Sequence, residues 1–299
     1  MLAVYKKELK SYFTSVIGWV FIAFFLILVG LYFMVYNLMN GYTDFSPVFS
    51  GVELFFILLL VPVLTMRIMR SMVEERRQKT DQLLYTSPVS ITKIILGKYL
   101  ALITLFGIAM LVVCLYPLIL SGLVKQVATG TEAVDFAIAY GSILGFFLLG
   151  AAYIAIGMFI SSLTESQVIA AVASGVIMIF TYLMTSLAGL LPSGHTFVFW
   201  FLAVLILVLS VGLYYWIHNG WLAGIIGVLA EAALVILFLL KTESFDGLIG
   251  NVLSQISITD RYQNFTYGIF DVSALVYYIS VAFLFVFITI QRIKKKRFN

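Results

Sequence analysis

The chain has 299 residues, 63% of them hydrophobic and only 11% charged, with a formal net charge of +4. Soluble globular proteins carry about 25% charged residues, and a fold of this size has no means of solvating so apolar a surface. The composition therefore excludes a soluble globular protein and points to an all-α integral membrane protein.

Residues 2–16 set Leu2, Tyr5, Leu9, Tyr12, Phe13 and Val16 at three- and four-residue spacing, with Lys6, Lys7, Glu8 and Lys10 on the other side. This predicts an amphipathic helix, residues 1–17, lying in the cytoplasmic interface. Apolar segments follow at 18–39, 52–69, 99–120, 136–160, 168–189, 197–217, 221–240 and 272–290. About 20 residues rising ~1.5 Å each cross a ~30 Å hydrocarbon core, so eight spans are expected. Segment 52–69 is the shortest and contains Pro62, which predicts a kink or tilt. Only His218-Asn219-Gly220 separates 197–217 from 221–240. That pair is either a tight hairpin of two full spans or a shallower re-entrant feature, which leaves six. The first apolar stretch is too long for a cleavable signal peptide, and no Ala-x-Ala pattern follows it.

The one dense charge cluster between spans runs from Met69 to Ser90 and includes Glu74, Glu75, Arg76, Arg77, Lys79 and Asp81. Pro88 stops a helix at or before Ser87. Thr80 is placed to cap a short helix through Leu83 and Leu84 to Tyr85, with Asp81 suited to its positive end. The two leucines are then offered from a polar surround, as a knob for a partner's groove requires. Ile91, Ile94 and Ile95, with Lys93 and Lys98, lead into the third span.

Lys6, Lys7 and Lys10 precede the first span. Arg67, Arg70, Arg76, Arg77, Lys79, Lys93 and Lys98 lie at or between the second and third. Arg292, Lys294, Lys295, Lys296 and Arg297 follow the last, leaving only Lys125, Lys241 and Arg261 on the opposite side. The positive-inside rule puts both termini and the 70–98 loop in the cytoplasm. The basic tail then anchors a membrane exit and is not a nucleic-acid patch.

Farther along, Ser161 to Gln167 reads as a short polar cytoplasmic turn, while 121–135 and 241–270 are the sizeable outer loops. The run 245–256 fits a helix lying flat on the outer interface, covering a pathway or folding back on the spans. Gly145, Gly150, Gly157 and Gly175 permit close helix approach. Deep in the spans one ionisable residue stands out, Glu231, as an intramembrane polar site or a hydrogen-bonding group between helices. Glu53 falls at an expected membrane edge, and Tyr153, Thr181, Tyr182 and Thr185 add milder polarity. Cys114 stands alone within a span, so no internal disulfide forms. Phosphate-loop, His-Glu-x-x-His and Gly-x-Ser-x-Gly motifs are absent. His195 and His218 fall on opposite sides of the expected membrane, and no catalytic residue, cofactor or metal site is expected in this chain.

The stretch from Glu75 through Lys98 resembles the permease subunits of ABC-2 type transporters, nearest to the branch of gliding-motility and copper-reductase-maturation permeases. The resemblance rests on Glu75-Arg76, Thr80, Leu83-Leu84, Ser87-Pro88-Val89-Ser90 and Gly97-Lys98-Tyr99-Leu100. Lys79 stands where that family usually has glycine, and Asp81-Gln82 replace its apolar–acidic pair. Phe270-Asp271 and the basic tail are similar to the same branch. The resemblance implies a single permease domain over 1–299 in the cytoplasmic (inner) membrane, with an elbow helix and a coupling helix in the first cytoplasmic loop. It implies a core of six spans per half, and two permeases, copies or homologues, joined to a separate ABC ATPase that carries ATP and Mg²⁺. Its only other expected partner is membrane lipid. On this reading Glu74, Glu75, Arg76, Arg77, Thr80, Asp81, Leu83 and Leu84 make the ATPase-coupling contacts, and the preferred direction is export of an amphipathic or hydrophobic substrate. Two rivals stand beside it. An ion-gradient-driven secondary transporter needs several buried charges near the midplane, where only Glu231 fits. A non-transporting scaffold uses the same loop to assemble a larger complex.

Overall fold

The computed structural model describes residues 1–64, 90–127, 133–164, 166–217 and 220–298. Within them the chain is helical, and it divides into two compact units: Met1–Tyr182 with Arg261–Asn299, and Leu183–Asp260. Seven described helical stretches are long and apolar enough to span: Val16–Met39, Ser46–Leu64, Ile91–Leu123, Phe136–Leu163, Gln167–Met184, His195–Tyr215 and Val272–Lys295. A further apolar helix covers Gly220–Leu240, within which Gly224–Leu240 forms a shorter apolar run.

In chain order the first unit begins with α1 (Leu2–Thr14) and α2 (Val16–Phe33), the latter continued by a π-helical turn to Met39. Buried Asn37 donates to the carbonyls of Tyr42 and Asp44 at 2.8 Å each, folding the chain back. The Asp44 carboxylate then accepts from the Ser46 amide at 2.9 Å and starts α3 (Ser46–Phe55), with Pro47 in its first turn. This helix begins six residues before the hydropathy signal expects the span. The helix widens into a π turn over Phe56–Leu60, just ahead of Pro62, whose ring has no amide to give. That widening is how the expected irregularity is accommodated.

Helix α4 (Ile91–Val113) absorbs residues 91–98, which sequence assigned to the loop. It breaks at Cys114–Leu115 and resumes as α5 (Tyr116–Val127), with Pro117 in the first turn where its missing amide costs least. Next come α6 (Phe136–Leu163) and α7 (Gln167–Leu190), joined by the expected short turn. The unit ends with the last span, defined below.

Lipid gives helices no hydrophobic reason to associate, so close packing must hold them. Five phenylalanines with no solvent exposure meet at the centre: Phe25 of α2, Phe49 and Phe56 of the second span, Phe106 of α4 and Phe146 of α6. Ring centroids lie 4.7 Å apart for Phe49–Phe146 and 4.9 Å for Phe56–Phe106, and such pairs add about 0.5–1.5 kcal/mol each beyond their burial. Gly150 makes this possible, because a Cβ there would run into the Phe106 and Phe56 rings.

The second unit holds α8 (His195–Ile217), α9 (Gly220–Leu240) and the short α10 (Leu248–Ile256). Helices α8 and α9 pack together, and a Cβ on Gly227 would sit 2.6 Å from the Ser210 hydroxyl oxygen. Val198, Ala203, Leu234, Phe245 and Ile249 form the buried cluster of this unit. Elsewhere both helices expose Trp200, Val204, Val208, Trp221 and Val228, as lipid-facing surfaces do. After the one-turn α11 (Gln263–Thr266), α12 (Val272–Phe298) returns to the first unit, packing on α6 and α4.

Candidate functional site: an ion-paired N-terminal helix and a buried polar cluster

An isolated 13-residue helix is marginal, so α1 depends on what it lies against. It packs along the head of α4. Gly97 allows the approach: a Cβ there would lie 3.3 Å from the Met1 carbonyl oxygen, the Tyr5 amide and the Val4 side chain. At this seam Lys98 Nζ meets Glu8 Oε1 at 3.1 Å, with the two side chains only 2% and 8% exposed. The Tyr5 hydroxyl lies 3.1 Å from the Thr104 hydroxyl, which donates to the Leu100 carbonyl at 2.8 Å, so the tyrosine is the donor. The corner into α2 is fastened as well. The Trp19 indole donates to the Phe13 carbonyl at 2.9 Å, and Gly18 sits against the Tyr12 carbonyl.

Glu8 corrects the sequence reading. Charge alone groups it with Lys6, Lys7 and Lys10 on the polar side, and those three lysines are exposed as expected. Glu8 instead turns inward with Tyr12. It lies three residues after Tyr5 and four before Tyr12, which is the same helix face. Periodicity held that signal, and charge obscured it.

At the other end of the unit, residues from Arg261 onward fold into the bundle. Tyr262 is buried with its ring edge-on to Phe146 at 6.0 Å, and Phe265 fills the notch left by Gly145. The Arg261 guanidinium stands 4.2 Å over the Tyr277 ring, a cation–π contact. Gly268 takes a left-handed backbone, φ +73°, to turn the chain toward α12. Asp271 caps that helix by accepting from Ser273 N at 2.8 Å and Ala274 N at 3.2 Å, and it also accepts from the Asn264 amide at 2.8 Å. These donors, Asn264 first, hold its carboxyl below the usual range.

Beneath this cap lies Glu53. Sequence placed it at the membrane edge, but the earlier start of α3 carries it seven residues into the helix, about 10 Å along the axis. It is 5% exposed and within electrostatic reach of the Tyr182, Tyr262 and Tyr278 phenols. Tyr153 is fully buried, with its hydroxyl 3.4 Å from that of Thr181. Burial pushes the Tyr262 phenol well above its ordinary value, and the charge of Glu53 acts in the same direction. The second span, α6, α7, α12 and the cap thus all contribute to one polar cluster in an otherwise apolar bundle. Buried ionisable groups of this kind are costly in a membrane protein and mark functional sites by default.

Glu231 lies in the second unit, half-buried on α9, and its Oε1 is shielded with no hydrogen-bond partner among the described residues. His195 begins α8, where the Asp246 carboxylate accepts from its amide at 2.8 Å and sits 3.2 Å from its ring Nδ1. His218 lies outside the described residues, as do Glu74, Glu75, Arg76, Arg77, Thr80, Asp81, Leu83 and Leu84. Among the described residues no group of His, Cys, Asp and Glu is arranged to hold a metal ion.

Residues 2–292 match the family described as ABC-2 family transporter protein. No curated protein and no solved structure matches the chain.

Proposed function

The chain belongs to the ABC-2 transporter family, and on that premise we propose that it is the membrane-spanning permease subunit of an ATP-driven exporter. The observation that carries this reading is the family match, which runs from the elbow helix through the charged loop to the last span. Two such permeases, copies or homologues, work with a separate ATPase in the cytoplasmic membrane, and the cargo is amphipathic or hydrophobic. Both termini face the cytoplasm and α9 completes eight spans. Within the family, the likeness of the Glu75–Lys98 segment supports a reading nearest the gliding-motility and copper-reductase-maturation permeases.

The mechanism asks no bond-making chemistry of this chain. Closure of the ATPase pair on nucleotide moves residues 74–85, and the loop continues directly into α4. Lys98 joins α4 to Glu8, so the elbow and the head of α4 move together, and the bundle exchanges between two packings. Reversing Arg76 and Arg77 to glutamate is expected to abolish transport while the assembled complex keeps its basal ATPase and loses stimulation by substrate. Wild-type transport by that double variant would remove the loop from the coupling path.

Buried Glu53 supports a second reading, an ion-gradient-driven transporter, because it adds a carboxylate within the bundle to Glu231. Flux through reconstituted vesicles that follows an imposed proton or sodium gradient without nucleotide would select that reading over the first.

A further inference from the structure

A groove of about 500 Å³ runs along the outside of the first unit between α4, α6 and α12. Its walls are apolar. Ala151 of α6 and Ala282 of α12 keep it open, Tyr99 and Val286 are buried along it, and Phe283 stands 71% exposed at its lip. The Tyr99 hydroxyl is already spent, donating to the Ala151 carbonyl at 3.0 Å. No polar cargo would be matched by such a surface.

Two features define the occupant. The first is length. On α4 the lining runs from Thr92 to Ile103 and on α12 from Ile290 back to Tyr278, so the groove extends roughly 16–18 Å along the helices. One leaflet of a ~30 Å hydrocarbon core is about 15 Å deep. The second is charge. At the end marked by Thr92 and Ile290, Lys93 is the next residue after Thr92 on the first turn of α4, and Arg292 and Lys294 follow Ile290 by two and four residues on α12. No described carboxylate lies within ion-pair distance of these three cations. At the far end the cation within reach is Arg261, and its guanidinium is engaged over the Tyr277 ring.

We propose that this groove binds one acyl chain of an anionic phospholipid from the cytoplasmic leaflet, with its phosphate held by Lys93, Arg292 and Lys294. A second copy of the chain fits less well. A two-fold contact across the groove would set each cationic rim against its own image, which like-charge repulsion opposes. A lipid phosphate neutralises that rim and adds no polar group to the apolar walls.

The test is native mass spectrometry of the full-length protein, released from nanodiscs containing equal phosphatidylglycerol and phosphatidylcholine. Wild type is expected to retain phosphatidylglycerol over phosphatidylcholine by about tenfold. The rim variant Lys93→Gln/Arg292→Gln/Lys294→Gln should lose that preference and still carry lipid. Filling the groove with Ala282→Phe, or separately Ala151→Trp, should remove the retained lipid at an unchanged elution volume. Equal retention of the two lipids by wild type would overturn the proposal, as would undiminished phosphatidylglycerol on a folded groove-filled variant. Efficient disulfide dimerisation of Phe283→Cys in membranes, in a Cys114→Ser background, would also overturn it by placing a second copy in the groove.

Discussion

Removing one member of the Glu8–Lys98 pair is expected to cost more than removing both. At 3.1 Å and an effective dielectric near 20, Coulomb's law gives an attraction of about 5 kcal/mol. Withdrawing each ion from water costs several kcal/mol, so the intact pair stands close to balance. A surviving single charge keeps its desolvation penalty and loses the attraction. Lys98→Met and Glu8→Leu should therefore each destabilise the protein by about 3–5 kcal/mol. The double variant Glu8→Leu/Lys98→Met should fall well short of their sum, because neither charge remains between α1 and α4. Thermal unfolding of the four proteins in one detergent closes a double-mutant cycle, with a coupling of up to about 3 kcal/mol expected. If the two single losses add to within about 0.5 kcal/mol, the pair is not coupled and the seam is held by packing alone.

Three further outcomes follow from the bundle and its cap. Gly150→Val should cost about 1–3 kcal/mol by pressing into Phe106 and Phe56, whereas Gly189→Ala, with open space around its added methyl, should gain up to about 1 kcal/mol in the same melts. The Tyr262 hydroxyl is buried without a hydrogen-bond partner among the described residues, so Tyr262→Phe should leave stability unchanged or raise it. Tyr262→Ala, which empties the space beside Phe146, should cost about 3–5 kcal/mol. Asp271 has a folded-state pKa below its unfolded value, so its contribution is complete above about pH 4 and fades as pH falls through the folded value. Asp271→Ala should then cost about 1 kcal/mol at neutral pH and progressively less in acidic melts, and a difference independent of pH would argue against a charged cap.

The spans were legible because their signal is simple: each is a long apolar run, and membrane crossing needs little more than length. Thus α6, at Phe136–Leu163, lies close to the expected 136–160, and α8 at His195–Ile217 close to 197–217. What hydropathy averages away was harder to see. The start of α3 depends on the Asp44 carboxylate and the fold-back made by Asn37, both polar groups in front of the apolar run, and missing them left Glu53 at the rim. The break at Cys114–Leu115 sits inside a continuous apolar stretch and is marked only by Pro117. Lys98 was counted as a loop cation although it lies four residues after Ile94 and seven after Ile91, the buried face of a helix already under way.

The burial of Lys98 has a physical cause, and it gives α4 its importance. In lipid a charged side chain is tolerated where another element supplies its counter-charge, so Lys98 needs a helix remote in sequence to bring Glu8. The next residue, Tyr99, fixes α4 to the Ala151 carbonyl of α6 and lines the lateral groove. Consecutive positions on one helix therefore address α1 and the bundle, after the loop proposed to receive the ATPase's movement. A shift of α4 relative to α6 has to break or carry along the Tyr99 hydrogen bond and reshape the groove. A shift shared with α6 leaves both unchanged and displaces α1 against α2. Spin labels at Leu2 and Val168, both exposed, separate the two cases: a nucleotide-dependent distance change between α1 and α7 with loss of the groove lipid fits sliding, and an unchanged distance with the lipid retained fits the shared motion.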